Sequence, residues 1–374
     1  MEVKPYKLID IFENYDYLRK PLSSMERESF QGDYPYYGAQ GVIDHVQDYI
    51  CDGEYMLIAE DGENLMSRNQ PIAVIVDGKF WVNNHAHIVK TNNLASMKYI
   101  CYLLNSSDIT GFITGSAQPK LSQANLNKIK MLLPSIEYQE QVASILSAYD
   151  NFIEVNNKRI KVLEQMAENL YKEWFVRFRF PGHESVPFEN GLPKGWTIKS
   201  VKETFDIFDS LRVPLSSLER DNMIKIYPYY GAAELLDYVE DYLFDGIYLL
   251  LGEDGSVITP EGKPMLQYVW GKFWVNNHAH ILQGKEPFST EYIHLMFKCM
   301  DVTGVVTGSA QPKISQARLF KKNAIIPENR IIERFNSTIS PMYEELRMLK
   351  NQNKNLVKQR DLLLPRLMSG KLEV

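Results

Sequence analysis

From Tyr138 to Arg177 the apolar residues recur in alternating steps of four and three. They are Val142, Leu146, Tyr149, Ile153, Ile160, Leu163, Ala167, Leu170 and Trp174, with the polar Asn156 interposed on the same stripe. This is the a/d pattern of a coiled-coil seam, and no Pro or Gly interrupts it. A helix of about 40 residues spans about 60 Å, too long to be absorbed by one small core. It therefore calls for a partner helix. A second stripe of the same spacing runs through Phe335, Ile339, Met342, Leu346, Leu349, Asn353, Leu356, Arg360, Leu363 and Leu367, on a predicted helix over Arg334–Leu364. Pro341 falls near its first turns, and Pro365 is expected to end or kink it.

The remaining pattern is that of short strands and turns. Tyr55–Ala59 and Tyr248–Leu251, Ile72–Val76 and Met265–Trp270, and Phe80–Ile88 and Phe273–Ile281 read as strands. The AEDG and GEDG stretches (Ala59–Gly62, Gly252–Gly255) read as turns. Short helices are predicted to start at Ser122 and Ser315, each serine positioned to cap an N-terminus.

These elements occur in pairs because the chain is duplicated. LRKPLSSMER (Leu18–Arg27) returns as LRVPLSSLER (Leu211–Arg220), and YPYYGA (Tyr34–Ala39) returns at Tyr227–Ala232. FWVNNHAHI (Phe80–Ile88) returns unchanged at Phe273–Ile281, and TGSAQPKLSQANL (Thr114–Leu126) returns as TGSAQPKISQARL (Thr307–Leu319). Every pair is offset by 193 residues, and so are the two helical stripes and the prolines that precede them, Pro134 and Pro327. Repeats are decisive for architecture. The expected fold class is α+β: two repeated mixed α/β domains separated by two long helices that form an antiparallel coiled coil with pseudo-twofold symmetry. The expected boundaries are residues 1–135 for the first domain and 136–180 for the central helix. A Pro/Gly-rich linker over 181–193, a second domain over 194–328 and a C-terminal helix over 329–374 follow.

The polar interruptions suggest a register. Setting Asn156 opposite Asn353 places Ile153 near Leu356, Ile160 near Leu349 and Leu163 near Leu346, all apolar pairs. A slip of one heptad would bury each Asn against Leu or Ile, at about 1–3 kcal/mol for an unsatisfied group. Asn at such a position is a known register device.

Composition narrows the class. Hydrophobic residues make up 45% of the chain and no apolar run is long enough to span a bilayer, so no membrane role is expected. The start, MEVKPYKLID, lacks the apolar region of a secretory signal. Cys51, Cys101 and Cys299 show no paired spacing, so a reducing, cytoplasmic setting is expected. A net charge of −6 argues against coating nucleic acid by charge alone. Charge is unevenly spread, however: residues 329–374 hold nine Lys/Arg against five Asp/Glu.

Catalytic motifs are missing. There is no GxxxxGK[ST] loop, no GxGxxG opening a helix, no GxSxG and no HExxH. The YPYY strings lack the arrangement of an amino-methyltransferase, and no nuclease-like acidic/Lys cluster is evident. His85/His87 and His278/His280 would lie on one face of a strand as a candidate metal pair, but no third ligand has suitable spacing, and no metal is expected. What does repeat is chemistry suited to DNA. Arg19, Lys20, Ser23, Ser24 and Arg27 match Arg212, Ser216, Ser217 and Arg220. Asn83, Asn84, Gln118, Lys120 and Gln123 match Asn276, Asn277, Gln311, Lys313 and Gln316. Arg reads guanine and Asn/Gln adenine in the major groove, while Ser and Lys suit phosphates.

The order globular segment, long helix, globular segment, long helix resembles the specificity (S) subunit of type I restriction-modification systems. The TGSAQPKLSQ block, the EYQEQVASIL entry to the first helix (Glu137–Leu146), LPKGW (Leu192–Trp196) and the LLPRLMSGKL ending (Leu363–Leu372) carry the resemblance. The first copy departs from it by lacking LPKGW. The resemblance implies a non-catalytic subunit whose two target recognition domains each read half of a bipartite site on double-stranded DNA. It implies two methyltransferase (M) subunits, which would bind S-adenosylmethionine, and restriction (R) motor-nuclease subunits as partners. Two domains this alike should read similar half-sites, giving a near-palindromic target. ESFQGD (Glu28–Asp33) against DNMIKI (Asp221–Ile226), and QGVIDH (Gln40–His45) against AELLDY (Ala233–Tyr238), mark where the halves differ. The rivals are a specificity subunit of another restriction class, with a fused methyltransferase-nuclease, and a duplicated metal-dependent enzyme.

Overall fold

The computed structural model describes residues 2–372 except Ser116 and Ser309, which fall in the two repeated TGSAQPK blocks. It contains two compact units. One comprises Met1–Val155 with Asn353–Val374, and the other comprises Asn156–Gln352.

In the discontinuous unit, the chain start Lys4–Lys7 pairs antiparallel with Lys130–Leu133, the strand that leads into the central helix. Between them lie two four-stranded sheets. One has the order Phe12–Asn14, Ala86–Thr91, Tyr55–Ala59, Ala73–Val76, and the other Gly41–Val46, Gln31–Gly38, Lys79–Val82, Cys51–Asp52. The contiguous unit closes the same way, Thr197–Ser200 on Asn323–Ile326. Its equivalent strands form one six-stranded sheet, because Phe244–Gly252 and Leu266–Val275 run on where the first copy breaks. The break sits at one glycine pair. Gly246 and Gly271 remain ladder partners, whereas their counterparts Gly53 and Gly78 follow Asp52 and Asp77 and keep a single bond, Gly53 N–H to the Gly78 carbonyl at 3.0 Å.

Phe80–Ile88 and Phe273–Ile281 are each two strands and not one. Strands Lys79–Val82 and Ala86–Thr91 flank a turn, as do Leu266–Val275 and Ala279–Gly284. The cause is local: the Asn83 Oδ1 accepts the His85 N–H at 2.8 Å, and Asn276 does the same for His278, the side-chain mimicry of a turn that Asn favours.

The central helix runs Ile136–Tyr171 and passes into a π-turn over Lys172–Val176. The extra residue of that turn shifts the phase, so that Trp174 and Phe175 are both buried. The C-terminal helix runs Asn329–Met368, continuing through Pro341 and one turn beyond Pro365. Pro365 therefore does not end it. Its last turn is held by the Tyr138 hydroxyl, whose one proton is shared between the Leu367 and Leu372 carbonyls at 3.0 and 3.1 Å.

Both units show segments of the two helices pairing. In the discontinuous unit Val142, Ala143 and Leu146 share a core with Leu367 and the domain residues Leu8, Ile11, Tyr99 and Leu104. Leu363 packs on that core, and Arg360 bridges Asp150 at 2.6 Å. In the contiguous unit Ile160, Leu163, Leu346 and Leu349 form one cluster. Buried Asn156, 5% exposed, donates to Gln352 at 3.1 Å. Residue numbers rise along one helix as they fall along the other in each cluster, which is antiparallel pairing. Tyr171, Trp174 and Phe175 then merge with Phe335 and the second domain's Tyr292 and Phe297. The Pro/Gly-rich stretch before Trp196 is ordered too: Phe180 stacks on Trp196 at 5.0 Å between ring centroids.

Candidate nucleic-acid interface

Four stretches far apart in the sequence converge on one buried network in each domain. In the first, both ring nitrogens of the fully buried His87 face acceptors, the Asp16 carboxylate at 2.7 Å and the Leu121 carbonyl at 2.8 Å. The ring thus ties the Tyr15–Leu18 turn to the segment following Pro119. Arg19 bonds the Asp16, Asn84 and Ala86 carbonyls and pairs with Glu60, which also takes Lys120 at 3.1 Å. Backbone bonds complete the junction: Glu60 N–H to His85 O, Leu121 N–H to Glu60 O and Gly62 N–H to Pro119 O.

The second domain repeats this arrangement. His280 lies between Asp209 at 2.6 Å and the Ile314 carbonyl at 2.7 Å. Arg212 pairs with Glu253 at 2.6 Å, and Lys313 reaches Glu253 at 3.3 Å. Burial pushes the Asp16 carboxyl up, but the hydrogen bond and charge of His87, the Ile88 N–H and Arg19 outweigh it and hold it below the usual carboxylate range. Asp209 follows the same balance, with Gln316 as a further donor. Burial likewise raises Glu60, and Arg19, His87 and Lys120 bring it below its ordinary value.

A second clamp shapes the neighbouring loop. Arg27 pairs with Asp44 at 2.8 Å, donates to the Leu22 carbonyl and lies over the Tyr36 ring. The Tyr36 hydroxyl accepts the Leu22 N–H, and the Trp81 indole N–H donates to Lys20 O. Arg220 pairs with Asp237 at 3.0 Å and lies over the Tyr229 ring, the Tyr229 hydroxyl accepts the Leu215 N–H, and the Trp274 indole N–H donates to Val213 O. Ser23 and Ser216 cap the short helices Ser24–Ser29 and Ser217–Asp221, each closing a capping box with Glu26 or Glu219.

The predicted site residues therefore divide. Arg19, Arg27, Arg212 and Arg220 are mostly buried in ion pairs. Asn83 and Asn276 are buried turn formers, and Ser23 and Ser216 are caps. Gln316 bonds Asp209 at 2.6 Å. Lys20, Ser24, Asn84, Gln118, Lys120 and Gln123 are exposed around the first network, and Ser217, Asn277, Gln311 and Lys313 around the second.

The histidines do not form a metal pair on a strand face. His85 lies in the turn and bonds Asp61 at 2.7 Å, while His87 is sealed in the network. A carboxylate–lysine cluster does repeat in space, contrary to the sequence expectation. Asp16, Glu60 and Lys120 come together, as do Asp209, Glu253 and Lys313. The ligating atoms of Asp209, Glu253 and His280 lie within 4.8 Å of one another. Their oxygens already receive Arg212, His280, Gln316 and Lys313, so the arrangement works as a staple between loops. Asp16 and Asp209, and Glu60 and Glu253, lie one repeat offset apart; scanning the offset residue by residue would have exposed them.

The profile of the family described as "Type I restriction modification DNA specificity domain" matches residues 1–165 and 193–359. The type I restriction enzyme MjaIX specificity subunit of Methanocaldococcus jannaschii is 25% identical over 94% of this chain and 90% of its own length. A putative type I specificity subunit of Haemophilus influenzae, S.HindORF215P, is 37% identical over 35% of this chain and 33% of its own. In fold, the chain is similar to the crystal structure of the type I restriction-modification S subunit from M. genitalium. That similarity has a TM-score of 0.63 and 13% identity, covering 98% of this chain and 96% of that one. With the family profile matched once in each repeat, the chain belongs to the type I restriction-modification DNA specificity family.

Proposed function

We propose that this chain is the non-catalytic, sequence-reading subunit of a type I restriction-modification complex, each domain engaging one half of a bipartite site on double-stranded DNA. The observation that carries this reading is the twofold occurrence of one rigid, ion-paired network ringed by exposed amides and cations. Phosphate contacts would fall to Lys20, Lys120, Lys313, Ser24 and Ser217, and base edges to Asn84, Gln118, Gln123, Asn277 and Gln311. Arg19, Arg27, Asn83, Ser23 and Gln316, with Arg212, Arg220, Asn276 and Ser216, would hold the loops in shape. The near-identity of the two networks supports related half-sites and a near-palindromic target. Two methyltransferase subunits carrying S-adenosylmethionine, motor-nuclease subunits and a cytoplasmic setting complete the proposed assembly. Asn156 and Asn353 are proposed as the residues that set the helix register, a role supported by the apolar clusters formed within each unit.

Co-expression with the neighbouring methyltransferase followed by methylome sequencing tests the reading. Modification at two related half-sites around an unspecified spacer is expected. Two unrelated half-sites would refute the near-palindrome, and modification without sequence preference would refute the recognition role.

A further inference from the structure

We propose that each domain grips the phosphate backbone of the duplex with a basic ribbon, the two-stranded sheet that closes the domain, in addition to the contacts of its reading loops. The inference rests on the DNA-recognition role proposed above and adds to it a surface that holds DNA irrespective of sequence.

The ribbons are Lys4–Lys7 on Lys130–Leu133 in the first domain and Thr197–Ser200 on Asn323–Ile326 in the second. In a chain of net charge −6, residues 4–10 with 127–133 hold Lys4, Lys7, Lys128 and Lys130 against Asp10 alone. The same stretches one repeat on, 197–203 with 320–326, hold Lys199, Lys202, Lys321 and Lys322 against Glu203 alone. Lys322 is half-buried and the other seven lysines are exposed. Among the described residues none of the eight makes an ion pair. Lys7 and Lys130 are moreover direct ladder partners. Tyr6 and Met131, the next pair, turn to the core, so the two lysines share the outer face of the ribbon. Opposed residues have their Cβ atoms about 5 Å apart, and like charges there work against the pairing. An anion between the two ammonium groups relieves that repulsion.

What the two ribbons keep is charge and not position. By the repeat offset Lys128 and Lys321 coincide, but Lys4, Lys7 and Lys130 correspond to Thr197, Ser200 and Asn323. Lys199, Lys202 and Lys322 in turn correspond to Tyr6, Ile9 and Ile129. In the loops, by contrast, Asn84, Gln118, Lys120 and Gln123 recur one for one as Asn277, Gln311, Lys313 and Gln316. A base edge needs its donor in one place, whereas a phosphate needs only a cation within reach. Equal charge on reshuffled residues therefore fits phosphates. Continuity with the loops makes DNA their source. Leu121 and Ile314 belong to the buried networks, and the short helices Gln123–Leu126 and Gln316–Leu319 follow at once. The Lys128 N–H closes that turn on Asn125 O, and Lys321 does so on Arg318 O, both at 3.1 Å. From Gln123 to Lys128 is at most about 7.5 Å of helical rise. A backbone that passes the loops, with one negative charge per about 1.7 Å of duplex, thus comes within a lysine's length of the ribbon.

The test uses the complex of this chain with its methyltransferase partner and duplexes carrying the site found by methylome sequencing, with affinity measured from 50 to 200 mM salt. Each phosphate neutralised by a lysine adds about 0.9 to the slope of log affinity against log salt. Lys7→Gln with Lys130→Gln, and separately Lys199→Gln with Lys202→Gln, should each lower that slope by about 2. The affinity lost across this salt range should then shrink about tenfold. The change should be the same on a duplex with scrambled half-sites, and the methylated sequence should not alter. Without DNA, Lys7→Gln should slow hydrogen exchange in the first ribbon about twofold by removing a like-charge pair, which also verifies folding. An unchanged slope in both pairs of variants, with discrete-site binding retained, would overturn the inference alone. Loss of methyltransferase assembly in place of a slope change would overturn it too, marking the ribbons as a protein contact. Absence of discrete-site binding by the wild type would instead overturn the recognition role on which the inference rests.

Discussion

The two domains carry the same loops but are fastened to the long helices by different chemistry. In the discontinuous unit the Tyr102 hydroxyl donates to Asp150, which also takes Arg360. In the contiguous unit Tyr268 donates to Glu291 at 2.7 Å, and Arg347 bridges Glu291 at 3.2 Å. The His294 ring there meets the Tyr343 hydroxyl at 2.8 Å, and Lys298 pairs with Glu168 at 3.0 Å. By the repeat offset, Ile75, Lys98, Cys101 and Asp150 stand where Tyr268, Glu291, His294 and Tyr343 do. The loops are held alike by the same residues at the same offset. The seats differ because each domain must settle on its own pair of helix ends, and mismatched charges there penalise the wrong seating.

The largest effects should be equal in the two copies and lie in the shared network. Arg19→Ala and Arg212→Ala each strip the main cation from a buried carboxylate and should cost about 3–5 kcal/mol. Denaturant unfolding read by hydrogen exchange in each unit would measure this, and a loss confined to one copy would break the equivalence of the networks.

Next come the seats, where the copies should respond differently. Glu291→Lys installs the first copy's residue beside Arg347 and should destabilise the contiguous unit by about 3 kcal/mol. The reverse exchange, Lys98→Glu, alters an exposed residue and should stay within about 0.5 kcal/mol. Equal responses would show that the seats are interchangeable.

Acid should separate the units more gently. Burial, then Lys298 and Lys350, lower the His294 pKa to about 3. The folded ring stays neutral while the unfolded ring takes a proton below about pH 6.5. Unfolding then takes up a proton, and stability falls as pH drops from 6.5 towards 3, by up to about 1.4 kcal/mol per pH unit. Cys101, at the equivalent place, has its thiol pushed up to about 12 by burial and carries no charge in this range. Asp16 and Asp209, lowered in the fold, keep their contribution until pH falls below about 4. Hydrogen exchange between pH 7 and 5 should show the contiguous unit loosening first, and His294→Phe should remove the difference.

The smallest change is at the caps. Ser23→Ala and Ser216→Ala should each cost about 1 kcal/mol of local stability, visible as faster exchange in the following short helix and equal in both copies.

Much of this architecture was legible in the sequence because its signals are periodic or repeated. The 3/4 stripe marked both long helices, and the offset of 193 marked two domains. What escaped depends on contacts between distant residues or on one side chain's local choice. Arg19 finds Glu60 41 residues away and His87 finds Asp16 71 residues away, pairings that no spacing rule encodes. The Asn83 side chain bonds its own backbone and splits what read as a single strand, which moved His85 off the face assigned to it. Residue type singled out these loops, but the fold decided which of their side chains are spent internally.

The clasp of Tyr138 on the carbonyls of Leu367 and Leu372 has a consequence for synthesis. The contiguous unit, Asn156–Gln352, can assemble as soon as its own residues have left the ribosome. The first domain waits longer, because Arg360, Leu363 and Leu367 complete its seat and are made only after Gln352. Vectorial folding therefore runs out of order, with the second domain finished before the first. A stop codon between Gln352 and Arg360 would spare the residues of the contiguous unit and fall hardest on the domain that was translated first, by removing its seat.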